Sequence, residues 1–205
     1  MTVPDTTTSD SAGLRHLVRA ADDLLADGPP PSADVAEVMG ALADILGAVL
    51  EDPDLLPGGI GSAPPPDGFG KYLLHAAPSF VVFSTVTAPE VAAPIHDHGS
   101  WGIVGLRRGT EEEVRYRLRP ERAGGLAAAG RTAYSAGDVM VVEPPPHDIH
   151  QVFNTCNRAT VSVHLFLCDP VASGFRVWAA PDAPAGHTGP LRYDEVPALG
   201  PMGAA

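Results

Sequence analysis

Histidines at positions 96 and 98 flank a single aspartate in the stretch P-I-H-D-H-G-S-W-G, residues 94–102. Alternate residues of a β-strand point to the same face, so in an extended stretch the two imidazoles project together and Asp97 points the other way. Two imidazoles hold a catalytic divalent metal well only when a third ligand joins them. Because an H-x-H pattern alone is a weak signal, the third ligand decides whether this stretch forms a metal site.

A third imidazole is available later in the chain. The stretch P-P-P-H-D-I-H-Q-V-F-N, residues 144–154, contains two further histidines. Either His147 or His150 fits as the third ligand when residue type alone is considered.

Two stretches near the N-terminus have apolar residues at helical spacing, which predicts two amphipathic helices. The first stripe consists of Leu14, Leu17, Val18, Ala21, Leu24 and Leu25, and the second of Val35, Val38, Met39, Leu42, Ile45, Leu46, Val49 and Leu50. Gly28 and the prolines after it end the first helix, Ser32 caps the second, and Pro53 ends it. The two stripes must be buried against the rest of the chain.

After Phe69 the sequence consists of short runs rich in valine, isoleucine, phenylalanine and tyrosine, each bounded by turn residues. These runs are 71–75, 80–87, 101–106, 113–118, 139–142, 150–154 and 160–167. Seven short strands without intervening helices predict a mainly β sandwich or barrel.

These patterns divide the chain into four parts. We predict a disordered start over 1–11, a helical segment with a Pro/Gly-rich connector over 12–68, the barrel over 69–178, and a wrapping or loose tail over 179–205.

Composition limits the classes of partner. The chain has 205 residues and a net charge of −12, which argues against nucleic acid or an anionic membrane as partner. It contains no run of eighteen apolar residues and no secretory leader pattern, so we expect a cytoplasmic protein, either a monomer or a homodimer. Two cysteines form no disulfide scaffold, and we expect both to be buried.

Residues 96–109, H-D-H-G-S-W-G-I-V-G-L-R-R-G, resemble the first motif of the cupin superfamily. Gly109 falls at the motif's closing glycine, and Gly102 stands where a glutamate ligand is usual. Residues 137–154 resemble the second cupin motif, and the match assigns His150 rather than His147 as the third ligand. The resemblance implies a double-stranded β-helix barrel, or jelly roll, behind the N-terminal helical hairpin.

Three histidines without a glutamate are similar to the site of the thiol dioxygenases, the family of cysteine dioxygenase and 3-mercaptopropionate dioxygenase. The stretch S-V-H-L-F at 162–166 matches that family in order and spacing. The resemblance implies iron(II) on the three histidines, a small thiol carboxylate and O2 as substrates, and a sulfinate product. It gives Ser162 and His164 catalytic roles near the substrate. Nickel, manganese or cobalt are alternative metals.

The chain departs from the family at three positions around the expected pocket. Phe166 stands where the family has a tyrosine, and Gly102 leaves no cysteine to crosslink to it. The family's carboxylate anchor, an arginine or glutamine, aligns with Lys71, the only lysine of the chain. Arg176 is a second candidate anchor, and Trp101 either packs in the core or contacts the pocket wall.

Two further functions remain open at the level of sequence. The departures at Phe166, Gly102 and Lys71 also fit a divergent cupin oxygenase of a specialised biosynthetic pathway, which would give a product other than a sulfinate. The other open function is that of a cupin that binds a metal or small molecule without turnover. It stays open because a fold alone does not determine whether a protein is an enzyme.

Overall fold

The computed structural model describes residues 11–28, 30–31, 33–61, 63–119, 125–189 and 191–194. Within them lie three helices, α1 (Ala12–Leu24), α2 (Val35–Val49) and α3 (Pro170–Ser173). The strands in the same residues are β1 (Phe69–Ala76), β2 (Val81–Thr87), β3 (Ile95–Asp97), β4 (Gly102–Arg108), β5 (Thr110–Leu118), β6 (Leu126–Ser135), β7 (Val139–Val142), β8 (His150–Asn154), β9 (Thr160–Phe166), β10 (Arg176–Trp178) and β11 (Gly186–His187).

The strands form two antiparallel sheets whose order defines the fold. One sheet has the order β1-β2-β9-β4-β7, and the other has the order β11-β10-β3-β8-β5-β6. From β2 onward, consecutive strands alternate between the sheets up to β5, and β8 and β9 return to lie between earlier strands. This order is that of a double-stranded β-helix, or jelly roll, the cupin barrel that the sequence predicted.

The two N-terminal helices cover the outer face of the first sheet. Their buried side chains share one core with outward-facing residues of that sheet, including Val82, Ile103 and Leu165. Gly105 of β4 allows the close approach, because a Cβ there would lie 2.9 Å from a methyl carbon of Leu50 and 3.0 Å from one of Leu46. The hairpin therefore buries its stripes on the barrel, as the sequence predicted, except at Leu24, which stays exposed.

Strand β2 is buried along its whole length. Alternate residues face the helices on one side and the barrel interior on the other. Every position of the strand is therefore buried, instead of buried positions alternating with exposed ones. Thr85 and Phe83 of this strand face inward, toward Ser162 and His164 of β9. These inward residues form one wall of the barrel interior.

Several strands were not predicted from the sequence. The chain forms β6 as its longest strand, paired with β5 from Thr110–Ser135 to Leu118–Leu126, and the short β10 and β11 extend the second sheet. Ser11, which the sequence analysis assigned to a disordered start, is ordered: its side chain accepts a hydrogen bond from the backbone N–H of Leu14 and caps α1.

Other expectations concern residues with no described structure. Residues 1–10, Ser32 and the last part of the tail, 195–205, lie outside the described residues. The described part of the tail contacts β1 and α3, where the backbone N–H of Asp194 donates to the carbonyl oxygen of Lys71 and that of Leu191 donates to the carbonyl oxygen of Val171. Across the described chain, no helix combines the length and apolar character needed to cross a bilayer.

Candidate metal centre

Three histidines meet in the barrel interior, and they are the three that the cupin resemblance assigned. His96 lies in β3, His98 follows its last residue, and His150 begins β8. Each offers a ring nitrogen, and these three nitrogens lie within 4.8 Å of one another. His98 and His150 are buried, and the register pairs His96 directly with His150. The three-histidine cluster thus forms from two neighbouring strands and the turn after one of them.

His98 lies one residue beyond β3, which ends at Asp97. Its ring and the ring of His96 converge, with centroids 4.8 Å apart. Asp97 points away from them, as expected, and accepts a hydrogen bond from Nε of Arg176 at 2.6 Å.

Hydrogen bonds fix which nitrogen two of the histidines present. The Nδ1–H of His96 donates to the carbonyl oxygen of Pro94 at 2.9 Å. The Nδ1 of His150 lies 3.0 Å from Oε1 of Glu113, to which it donates. Both rings therefore hold their Nε2 lone pair free, which is the state that a metal ligand needs.

His98 has a carboxylate behind it as well. Its Nδ1 lies 4.0 Å from Oδ2 of Asp148, and among the described residues neither this Nδ1 nor Oδ1 of Asp148 has a hydrogen-bond partner. Oδ2 of Asp148 accepts from the backbone N–H groups of His98 at 2.7 Å and Gly99 at 3.2 Å, which holds the turn in place. Burial raises the pKa of the Asp148 carboxyl.

The electrostatics favour neutral rings at His96 and His98. Burial, with a smaller contribution from His150, lowers the pKa of His96 to about 3. Burial and the neighbouring histidines lower the pKa of His98 well below its ordinary value. Neutral imidazoles with free, converging nitrogens suit a divalent metal such as iron, zinc, copper or nickel. The residues present therefore fit a metal ion held by three histidines.

A carboxylate from a third strand completes the surroundings of His150. Glu113 of β5 is 4% exposed, and its second oxygen, Oε2, accepts from Nε of Arg115 at 2.8 Å and from the hydroxyl of Tyr134 at 3.2 Å. Burial raises the pKa of the Glu113 carboxyl, but the bond from His150 and the charges of His150 and Arg115 outweigh it and lower the pKa to about 2. Glu113 is therefore an anion at neutral pH.

The cluster opens on a cavity of about 740 Å³ between the two sheets. Ser162 and His164 line it with the histidine cluster, as the family resemblance implied. Ser162 Oγ lies 2.8 Å from His164 Nε2, and Thr85 Oγ1 lies 2.7 Å from that Oγ and 3.2 Å from the same nitrogen. The expected pair is therefore a group of three that includes Thr85. Burial lowers the pKa of His164 to about 3.

Phe166 occupies a different place from the one expected. It is fully buried and stacks on His98 with ring centroids 4.5 Å apart, and it is not among the described residues that line the cavity. A Cβ on Gly102 would lie 2.4 Å from its ring, so the glycine makes room for the phenyl group. Phe166 therefore supports a metal-ligand candidate from behind, and its predicted contact with substrate has no counterpart in the cavity lining.

Lys71 borders a second, smaller cavity of about 190 Å³, which His96 also borders. Its side chain shares the inward face with Thr85 and Ser162, to which the register relates it. Burial lowers the pKa of the Lys71 ammonium, and the nearby Asp194 carboxylate opposes that change. The structure thus places Lys71 at a cavity that one histidine of the cluster also borders.

Two other predicted contacts are not part of the cavity lining. Arg176 forms an ion pair with Asp97, and both lie on the opposite face of the sheet from His96, so this guanidinium already has a carboxylate partner. Trp101 packs against the core under the helices instead of lining either cavity. His147 is exposed at the edge of the large cavity and is not part of the cluster.

Sequence reasoning missed three residues of the site: Glu113, Asp148 and Thr85. A weak signal existed for Asp148, which precedes His150 by two residues in the second motif. Glu113 is the last of three consecutive glutamates, a pattern that predicts a solvent-exposed strand. Only the pairing of β5 with β8 brings it to His150. Thr85 depends in the same way on the pairing of β2 with β9.

No protein-family model matches the chain. In structure it is similar to a cupin superfamily protein from Desulfitobacterium hafniense, with 11% sequence identity and a TM-score of 0.42 over 56% of this chain and 90% of that chain. A Cupin 2 conserved barrel domain protein from Salinispora arenicola has 21% sequence identity and a TM-score of 0.41 over 56% of this chain and 87% of that chain. An oxalate oxidase has 18% sequence identity and a TM-score of 0.40 over 55% of this chain and 59% of that chain.

The strand order gives the fold, and the cluster gives the kind of site. The chain is a double-stranded β-helix barrel whose interior brings together three histidines with ring nitrogens close enough to hold a metal ion.

Proposed function

We propose that this protein is an iron(II)-dependent thiol dioxygenase that oxidises the sulfur of a small thiol carboxylate with O2 to a sulfinate. The observation that carries the proposal is the cluster of His96, His98 and His150, with no carboxylate among its ligands, in one cavity with Ser162 and His164. The motif resemblance to the thiol dioxygenases supports the same reaction.

The chain's own residues would orient the substrate and control its surroundings. Iron, when bound, would hold the thiol sulfur as a thiolate and supply the electron transfer to O2. His164 is neutral at physiological pH because burial lowers its pKa to about 3. Ser162 and Thr85 fix its ring through Nε2, so it can orient a polar group of the substrate without adding charge.

Lys71 is the proposed anchor for the substrate carboxylate. It and His96 border the same small cavity, so a short thiol carboxylate can place its sulfur at the cluster and its carboxylate at the ammonium. The contact would be a charge-assisted hydrogen bond from a point charge, less directional than the fork of an arginine. The large cavity lies within the range of roughly 300–1,000 Å³ that holds drug-sized ligands, so thiols larger than cysteine also belong in a test.

The partners of this reaction would be the thiol and O2, in the cytoplasm, with no nucleic acid or membrane involved. Three imidazoles also suit nickel, manganese or cobalt, so the ligand set does not select the metal. Iron is proposed because of the redox reaction.

A second function is favoured by one observation. Phe166 carries no hydroxyl and packs on Gly102, so the donor that the family's tyrosine supplies is missing. A divergent oxygenase that gives a product other than a sulfinate, from cysteine or another thiol, would use the same cluster.

Product analysis under ¹⁸O2 separates the two functions. Iron-loaded protein is incubated separately with L-cysteine, 3-mercaptopropionate and N-acetylcysteine, and the product masses are measured by mass spectrometry. A thiol that gains two labelled oxygens supports the dioxygenase, whereas loss of carbon or a different oxygen count supports the divergent oxygenase. Metal-loaded protein that gives no product would support a binding protein without turnover. His150→Ala is the control for oxidation by free iron.

A further inference from the structure

Glu113 belongs to neither cupin motif, yet it contacts a residue of the cluster. It lies on β5, the neighbour of β8 in the second sheet, and Oε1 accepts the Nδ1–H of His150 at 3.0 Å. Its side chain is almost completely buried in a wall of the large cavity.

The position of this carboxylate is fixed from its other oxygen. Nε of Arg115 donates to Oε2 at 2.8 Å, and the hydroxyl of Tyr134 donates to the same atom at 3.2 Å. Tyr134 comes from β6, so three adjacent strands, β8, β5 and β6, contribute to one line of hydrogen bonds. The two donors hold one oxygen of this buried carboxylate, and the other oxygen contacts His150.

A carboxylate behind a ligand histidine has two effects. It keeps the proton on Nδ1, so that Nε2 carries the lone pair, and it makes that nitrogen a stronger electron donor to a cation. It also adds a fixed negative charge beside a group of neutral ligands, which favours a divalent cation. Removing such a partner usually weakens metal binding by roughly 10- to 100-fold.

We propose that Glu113 is a positioning residue of the metal centre, which fixes the orientation and tautomer of His150 and raises the affinity of the three-histidine cluster for a divalent cation, with Arg115 and Tyr134 holding it in place. This inference rests on the metal centre of the proposed function. It does not depend on which thiol is oxidised or on the product.

The test is a titration of metal-free protein with Co(II) in competition with a chelator of known affinity. Glu113→Gln keeps the size of the side chain and an oxygen acceptor but removes the charge, and Glu113→Ala removes both. We expect Co(II) affinity to fall by roughly 10-fold or more in the first and by up to roughly 100-fold in the second. Glu113→Asp should recover part of the loss, because the charge returns.

Glu112→Gln is the matched control. It lies on the same strand, faces the opposite side, and forms an ion pair with Arg131 away from the cluster. Its Co(II) affinity should equal that of the wild type. Thermal unfolding of every metal-free variant separates a general loss of structure from a specific loss of binding, and the visible absorption of bound Co(II) should change only in the Glu113 variants.

The outcomes distinguish this inference from the proposed function. Co(II) affinities of both Glu113→Gln and Glu113→Ala within about twofold of the wild type would overturn it, and wild-type protein that binds no Co(II) would overturn it together with the metal centre. The expected loss of affinity supports it even if no thiol is oxidised, in which case only the proposed reaction fails.

Discussion

His96, His98 and His150 place their ring nitrogens together without a carboxylate among them, but carboxylates lie directly behind two of the rings. Glu113 accepts from His150, and Asp148 lies 4.0 Å from Nδ1 of His98. A divalent ion on three imidazoles would therefore keep its full charge toward a bound ligand, while the Glu113 anion and the buried Asp148 carboxyl group lie behind the ligand rings. The sequence alone indicated only the neutral ligand set.

The choice between the two histidines of the second motif is the first residue-scale prediction. His150→Ala should abolish stoichiometric binding of Fe(II), because it removes one of only three ligands. His147→Ala should bind as the wild type does, because His147 is exposed and outside the cluster. Metal content after dialysis checks both, and the opposite pattern would move the third ligand to His147.

Lys71 provides the second prediction. Lys71→Met keeps the length of the side chain and removes its charge, so KM for a carboxylate-bearing thiol should rise by roughly tenfold or more. Cysteamine, a thiol without a carboxylate, is the control substrate and should show no such rise. Steady-state O2 uptake gives both values, and an unchanged KM for the carboxylate would show that Lys71 is not the anchor.

The three histidines of the cluster were predictable from sequence because two short motifs carry them, whereas the residues that contact them were not. Each motif is local, so residue types and spacing sufficed for the histidines. Glu113 and Thr85 reach the site through strand pairing alone. Arg176 was a reasonable anchor by residue type, but the register places it opposite Asp97.

At the scale of elements, the helical hairpin acts as an outer layer for the sheet that carries Ser162 and His164. The inner face of β9 lines the cavity, and its outer residues, Val163 and Leu165, pack against α1 and α2. Packing of the helices thus fixes the strand from behind. A loosened hairpin should disturb the barrel wall as well as the helices.

This layer gives an element-scale prediction. Leu46 of α2 is fully buried and contacts β4 at Gly105, so Leu46→Ala should lower the free energy of unfolding by about 2–5 kcal/mol. Leu24→Ala on α1 is the matched control, because Leu24 is 39% exposed and should cost far less. Urea denaturation of metal-free protein measures both, and equal losses would mean that α2 does not pack as described.

The elements that the sequence predicted are those with a clear hydrophobic pattern, and the missed ones lack it. Strand β6 has the sequence L-A-A-A-G-R-T-A-Y-S, in which alanine and glycine have low strand propensity. It lies at the edge of its sheet and is largely exposed, so its pairing with β5, not an apolar face, holds it. Strands β10 and β11 are too short to give a period.

At the scale of the whole molecule, the histidines of the barrel interior link stability to pH. His96 and His164 have pKa values of about 3 in the folded protein, against an ordinary value of 6.5. Between these values the unfolded chain binds protons that the folded chain does not, so the free energy of unfolding of metal-free protein should fall as pH decreases from about 6.5 toward 3.

Glu113 acts in the same direction at lower pH. Its folded pKa of about 2 lies below the ordinary value of 4.5, so its contribution is present above pH 4.5 and is lost as pH falls toward 2. Urea denaturation at fixed ionic strength from pH 7 to pH 3 measures the dependence. His164→Gln should reduce the slope and the exposed His16→Gln should leave it unchanged; equal slopes in all three proteins would contradict this account.

The most direct test of the central claim is O2 uptake by iron(II)-loaded protein across L-cysteine, cysteamine, 3-mercaptopropionate, mercaptosuccinate, thioglycolate and N-acetylcysteine. The proposed function predicts rapid uptake with at least one carboxylate-bearing thiol and none above background in His150→Ala. The absence of uptake with every thiol, in protein that holds its iron, would contradict thiol dioxygenation by this barrel.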